Sequence, residues 1–169
     1  MSQTVFFIGD THFGHLNLIR SRRQMDPYEH DHLIIDNWNR TVRKKDDIVY
    51  HMGDIMMHKS PEEMEIFRQL NGRKYLIRGN HDVMNSGVYL KYFEEIFGIV
   101  SKYDFWLSHC PIHPSELRGR NNVHGHTHLV NIPDHRYLNV SCEQINYTPI
   151  SLEQVRRRFQ KQYENSSTK

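Results

Sequence analysis

Five short apolar stretches in this chain end in the same way. Each runs into glycine or serine and then at once into aspartate, asparagine or histidine: Gly9-Asp10, Gly53-Asp54, Gly79-Asn80, Ser108-His109 and Gly125-His126. A brief apolar run closed by such a turn reads as a buried strand. The spacing predicts strands over residues 4–9, 47–52, 75–78, 105–108, 122–123 and 136–140, with helical turns near 16–23. Helices are predicted over 31–42, from the Ser60-Pro61-Glu62-Glu63 capping signal to Leu70, over 88–97, and from Ser151 (with Gln154 at the box position) to the C-terminal region. Strands alternating with helices argue for an α/β fold. Sheets of that kind bind ligands beyond the carboxyl ends of their strands, so the polar residues that close these runs are expected to converge on one rim.

Composition supports a folded chain. Ile, Leu, Val and Phe make up about a quarter of the 169 residues, above the roughly 20% that marks disorder, although alanine is absent. The length suits one domain, expected over residues 1–164, with a flexible tail at 165–169. No run approaches the roughly 18 apolar residues of a membrane span, and no basic n-region of a secretory signal is read at the N-terminus. The two cysteines, Cys110 and Cys142, suit neither a disulfide framework nor a zinc ribbon, so a reduced, cytoplasmic setting is expected. A net charge of +2 does not by itself argue for nucleic-acid binding.

The 13 histidines are the unusual number. With their neighbours, the five motifs supply Asp10, His12, Asp54, Asn80, His109, His126 and His128. That is a nitrogen and oxygen donor set without thiolate, which suits Mn, Fe, Co, Ni or Zn better than Mg. Seven donors are too many for one ion and about right for two that share a bridge.

In order, these blocks read Asp-x-His, Gly-Asp, Gly-Asn-His-Asp, a lone His and Gly-His-x-His. Over residues 10–128 the chain therefore resembles the calcineurin-like metallophosphoesterase superfamily. The resemblance implies a two-sheet sandwich flanked by helices, with a two-metal site, Mn favoured, at the strand ends. Asp10, His12 and His128 would bind one ion, Asn80, His109 and His126 the other, and Asp54 would bridge them. A hydroxide between the ions would attack a phosphate ester in line. His81 would serve as general acid, and Asp82 would orient it.

The substrate expected is a small phosphodiester such as a nucleotide. A phosphomonoesterase (protein phosphatases included), a nuclease and a non-enzymatic protein-binding scaffold of the same fold stand as alternatives. His15 and Asn17, just after the first motif, are candidates to line the phosphate site. So are Arg118 and Arg120, in a loop expected to overhang it. Cys110 is expected to be a buried, inert thiol, His51 and His124 packed histidines, and His30 an exposed one. Oligomeric state is left open.

Overall fold

A computed structural model describes residues 3–20, 25–57 and 60–167. Two sheets form its framework. The first has strand order β4-β3-β2-β1-β9, from β1 (Val5–Ile8), β2 (Ile48–His51), β3 (Arg73–Ile77), β4 (Ile96–Phe97) and β9 (Ile150–Ser151). Strands β1 to β4 are parallel and β9 is antiparallel. The second sheet has order β5-β6-β7-β8, from β5 (Ile99–Lys102), β6 (Phe105–Ser108), β7 (Asn121–His124) and β8 (Tyr137–Asn139). Here β6, β7 and β8 are parallel and β5 is antiparallel. Phe7, Ile8, Val49, Leu76, Leu107 and Val123 belong to one buried core. Each such side chain contributes about 1.5–3 kcal/mol through burial. This is the α/β fold expected from the strand pattern, with the two sheets that the family resemblance implies. No helix among the described residues is long and apolar enough to cross a membrane.

The sheets are joined where the chemistry-bearing turns lie. Gly9 N donates to Val140 O at 2.9 Å and Cys142 N donates to Gly9 O at 3.0 Å, so the end of β1 pairs with the end of β8. Both sheets thus present the carboxyl ends of their parallel strands to a common rim.

Helix α1 is the single turn Leu16–Leu18, and the end of its expected extent, residues 21–23, lies outside the described residues. Helix α2 spans Pro27–Thr41, starting four residues before the expected 31. Asp26 caps it, accepting from Tyr28 N at 2.9 Å and Glu29 N at 3.3 Å, and Pro27 takes the first helical position. Its inward stripe is His30, Ile34 and Trp38. The first member is a histidine, so apolar periodicity misses that turn, and His30 is fully buried rather than exposed.

Two expected α-helices are replaced. Glu63–Gln69 is a 3₁₀ helix, and Ser60 donates to the Glu62 carboxylate instead of capping. Met64, Phe67 and Leu70 are all buried, and their spacing of three matches three residues per turn. Residues 88–97 divide between α3 (Ser86–Tyr89) and β4. Tyr89 and Phe93 keep helical spacing and are buried, but the edge of the sheet captures Ile96 and Phe97 opposite Leu76 and Ile77.

The missed strand β5 enters a hairpin with β6 through Tyr103 (φ 56) and Asp104 (φ 70). Two consecutive left-handed residues are what a type I′ turn needs, here without the usual Asn-Gly signal. Helix α4 (Leu152–Ser167) keeps its capping box: Gln154 N donates to Ser151 Oγ at 3.2 Å and Ser151 N donates to Gln154 Oε1 at 2.7 Å. It is helical through residue 167, and 168–169 lie outside the described residues.

Candidate metal centre

Each motif follows the carboxyl end of a parallel strand: Asp10 and His12 after β1, Asp54 after β2, Asn80 to Asp82 after β3, His109 after β6, and His126 and His128 after β7. Asp10, His12, Asp54, His126 and His128 all have φ between 46 and 68°. Left-handed backbone at non-glycine residues costs about 1–3 kcal/mol each and persists only where surrounding structure enforces it. Its concentration here marks turns built to aim side chains.

Two glycines serve by being small. A Cβ on Gly79 would collide with Asp54 Oδ1, and one on Gly125 would collide with Asp10 Oδ2. The freed space lets backbone donors reach the carboxylates. His81 N donates to Asp54 Oδ1 at 2.9 Å, and His126 N donates to Asp10 at 3.0–3.1 Å.

The side chains converge closely. His12 Nε2 lies 3.9 Å from Asp10 Oδ1 and 3.7 Å from Asp54 Oδ2. His128 Nε2 lies 3.9 Å from Asp10 Oδ1, and its ring stacks on that of His12 at 5.2 Å. On the other side of Asp54, His109 Nε2 lies 3.3 Å from Asp54 Oδ2, 2.9 Å from Asn80 Oδ1 and 3.2 Å from His126 Nδ1. Three groups among the described residues, Asp10/His12/His128, Asp10/Asp54/His109 and His109/Cys110/His126, hold their ligand atoms within 4.8 Å of one another and could each hold a metal ion.

The donor chemistry fits a cation. His109 Nδ1 donates to Met52 O at 2.7 Å, so the neutral ring presents a bare lone pair at Nε2. That lone pair faces two oxygens and another imidazole nitrogen, all electron donors, and such a gathering holds together only around a proton or a cation. The proton affinities agree. Burial alone would lower the His109 pKa, yet the hydrogen bond and charge of Asp54, with Asp10 behind it, raise it to about 9. Burial pushes Asp10 up to about 6, against the pull of His109 and His128. For Asp54 burial acts upward, but contacts with His109 and the backbone N–H of His81 hold it near 2. Burial and repulsion from His109 lower His126.

Three supports were not visible in the sequence. Glu143 Oε1 accepts from His128 Nδ1 at 3.0 Å and so sets the direction of Nε2; Glu143 follows β8 with no motif around it. The Met52 carbonyl does the same for His109. Thr11 Oγ1 donates to Ile55 O at 2.8 Å and accepts from buried His51 Nε2 at 3.0 Å, tying the first two motif loops together. His51 and His124 are packed, as expected. Burial lowers them to about 3 and about 4, and His124 Nδ1 donates to Gly125 O.

Asp82 differs from expectation. Its oxygens accept from Asp54 N (2.9 Å), Ile55 N (3.0 Å) and Gly79 N (2.7 Å), all backbone groups, and not from the His81 ring. A carboxylate this short reaches the amides of the adjoining turn before it can fold back onto its neighbour. His81 itself stands at the mouth of the site, its side chain 42% exposed and its Nε2 4.0 Å from Asp54 Oδ2.

His15 lies beside the site, its ring 5.6 Å from that of His12, while its Nδ1 accepts from Leu18 N to cap α1. Asn17 is exposed on α1. Arg118 and Arg120 do not overhang the centre. They line a separate cavity with Phe105 and Asn121, the first residues of β6 and β7 and thus the opposite ends of strands whose last residues lead to the site. Cys110 is exposed rather than buried, with its pKa raised by partial burial and then by Asp54 and Asp10.

The fold and donor set define the class: an α/β protein with a candidate metal centre at the ends of its parallel strands. A family model described as calcineurin-like phosphoesterase matches residues 3–158, and the chain belongs to that family, which implies metal-dependent hydrolysis of phosphoesters. The chain is similar to "Uncharacterized protein MJ1445" of Methanocaldococcus jannaschii, 35% identical over 165 residues that cover 89% of this chain and 88% of the relative. It is also similar to "Gene 66 protein" of Mycobacterium phage L5, 33% identical over 164 residues that cover 76% of this chain and 78% of the relative. Among solved structures it is similar to the protein of unknown function AQ665 from Aquifex aeolicus, with a TM-score of 0.75, 28% identity, and coverage of 92% of this chain and 99% of that one.

Proposed function

We propose that the protein is a binuclear phosphodiesterase acting on a small phosphodiester such as a nucleotide. The observation that carries the binuclear reading is the position of Asp54 Oδ2. It lies 3.7 Å from His12 Nε2 on one side and 3.3 Å from His109 Nε2 on the other. A carboxylate between two donor sets is suited to bridge two ions, with Asp10, His12 and His128 on one and Asn80, His109 and His126 on the other. Mixed imidazole and carboxylate donors suit Mn, Fe, Zn, Co or Ni, and Mn is the ion proposed from the family resemblance. When bound, such a pair supplies Lewis acidity, acidifying a shared water and neutralising charge on the phosphoryl group.

The chain's own residues do the rest. His109 and His128 are held in one orientation by Met52 O and Glu143, which keeps their Nε2 atoms aimed inward. Asp82 braces the Asp54 turn. His81, half-exposed above Asp54, is placed to give a proton to the departing alcohol oxygen, a contribution of typically 10²–10⁴-fold. His15, beside His12, lies within reach of a substrate phosphate. The two free cysteines suit the reducing interior of a cell.

The test is metal-stripped protein assayed on bis-p-nitrophenyl phosphate and on p-nitrophenyl phosphate, before and after Mn addition, with metal content measured alongside. Two ions per chain and Mn-restored diester turnover are expected. One ion per chain would overturn the binuclear reading, and monoester turnover alone would overturn the diester preference. Turnover on neither substrate, with metal bound, would favour the scaffold alternative.

A further inference from the structure

A basic cluster lies away from the metal centre. A cavity of about 610 Å³ opens at the starting ends of β6 and β7, and three distant chain segments supply its arginines: Arg118 and Arg120, Arg136, and Arg156 of α4. Two of these guanidiniums are already matched, Arg118 to Glu116 at 3.1 Å and Arg136 to Asp134 at 2.6 Å. Arg120 has no carboxylate partner among the described residues and lies over the Trp106 ring at 5.5 Å. Arg156 has no acidic partner among them either. Asp104 is the one acidic residue on the cavity wall.

Aromatic side chains, Tyr103, Phe105, Phe159 and Tyr163, share the rest of the wall with Pro114, Leu117 and small or polar residues. Arg156, Phe159 and Tyr163 follow one another at helical spacing on α4 and line the same cavity, with Tyr103 across from them on the β5–β6 turn. Tyr163 is braced edge-on by His135, their ring centroids 5.8 Å apart. Two uncompensated guanidiniums call for an anion with several oxygens, which their planar fork grips in pairs. Phe159 is buried and stacked on Phe105 at 5.2 Å, so the exposed ring of Tyr163 is the aromatic face left to meet a planar ring. A volume of this size lies within the range that holds a small ligand.

We propose that this cavity is a second binding site, distinct from the metal centre, for a nucleoside phosphate. Arg120 and Arg156 hold the phosphate, and the base lies against the exposed ring of Tyr163 on α4. At roughly 3.3 Å per residue, the four residues of β6 separate the cavity from His109 by about 13 Å. One mononucleotide therefore does not span both sites.

The experiment is equilibrium dialysis on metal-stripped full-length protein, chelator removed, with AMP, inorganic phosphate and adenosine as separate probes. Saturable binding of one AMP per chain is expected, at least about tenfold tighter than either fragment. The double variant Arg120→Gln/Arg156→Gln should weaken AMP binding by about tenfold or more. Asp54→Asn, in the metal centre, should leave it unchanged. Both arginines are on the surface, and unchanged melting of the double variant will separate lost binding from lost folding. No saturable AMP binding, AMP no tighter than phosphate, or sensitivity to Asp54→Asn with none to the double variant would each overturn the proposal.

Discussion

Replacing Asp82 with asparagine separates two roles that the Gly-Asn-His-Asp motif leaves open. Asp82 is 2% exposed, and its carboxylate accepts three backbone N–H groups: Asp54 and Gly79 on Oδ2, Ile55 on Oδ1. Asparagine has one oxygen. Turned toward Asp54 and Gly79, it keeps those two bonds in weaker, neutral form and sets its NH₂ against the N–H of Ile55. An orphaned buried donor costs about 1–3 kcal/mol, and exchanging a charged acceptor for a neutral one loses part of the roughly 1.5–3 kcal/mol of each remaining bond. Burial raises the Asp82 pKa, so removing its charge returns some of this. The net expectation is a loss of about 2–4 kcal/mol. Urea denaturation of the metal-free protein reads it as a shifted midpoint at constant slope. Because the displaced turn carries Asp54, metal affinity should fall as well. A loss under about 0.5 kcal/mol, with the pH–rate profile altered through His81, would refute the bracing role and restore Asp82 as the partner of His81. A stability cycle with His81→Ala should show the two changes additive, since the side chains do not touch.

Three further outcomes are expected. Glu143→Gln should lower metal affinity by about 10–100-fold, because the carboxylate that turns the His128 ring is replaced by an amide; metal titration followed calorimetrically checks this, and an unchanged affinity counts against it. Gly125→Ala should abolish stoichiometric metal binding while leaving the far-ultraviolet circular dichroism intact, since the new methyl meets Asp10 Oδ2; full metal content would show that the turn has room to shift. His51→Gln tests pH linkage. The folded pKa of about 3 lies below the ordinary value of 6.5, so between those limits the unfolded chain takes up a proton that the folded one refuses. His51 therefore costs no stability above pH 6.5 and removes up to about 1.4 kcal/mol per pH unit as pH falls below it. The variant should show a correspondingly shallower acid loss in urea midpoints taken at pH 7 and pH 5, and equal slopes would contradict the assignment.

Much of the centre was legible from the chain because its donors sit at the ends of strands, and short apolar runs closed by Gly-Asp or Gly-His announce both strand and turn. Asp10, Asp54, His109 and His126 were found this way, and so was the capping box at Ser151 and Gln154, which is a local device. The α-helices expected from Ser60 to Leu70 and over 88–97 take other forms because apolar spacing does not say which partner will claim a residue. Ile96 and Phe97 fit a helix until the edge of a sheet is available to pair with them.

Sequence order alone determined which residue types could be donors and that strand ends would present them. Only the tertiary structure decided their neighbours. Asp82 spends its charge on backbone amides, Glu143 beyond β8 turns the ring of His128 beyond β7, and Arg118 and Arg120 leave the metal centre for a cavity shared with Arg156. The physical reason is the same in each case. Hydrogen bonds and charges act over a few ångströms, and only packing settles which residues, distant along the chain, come that close.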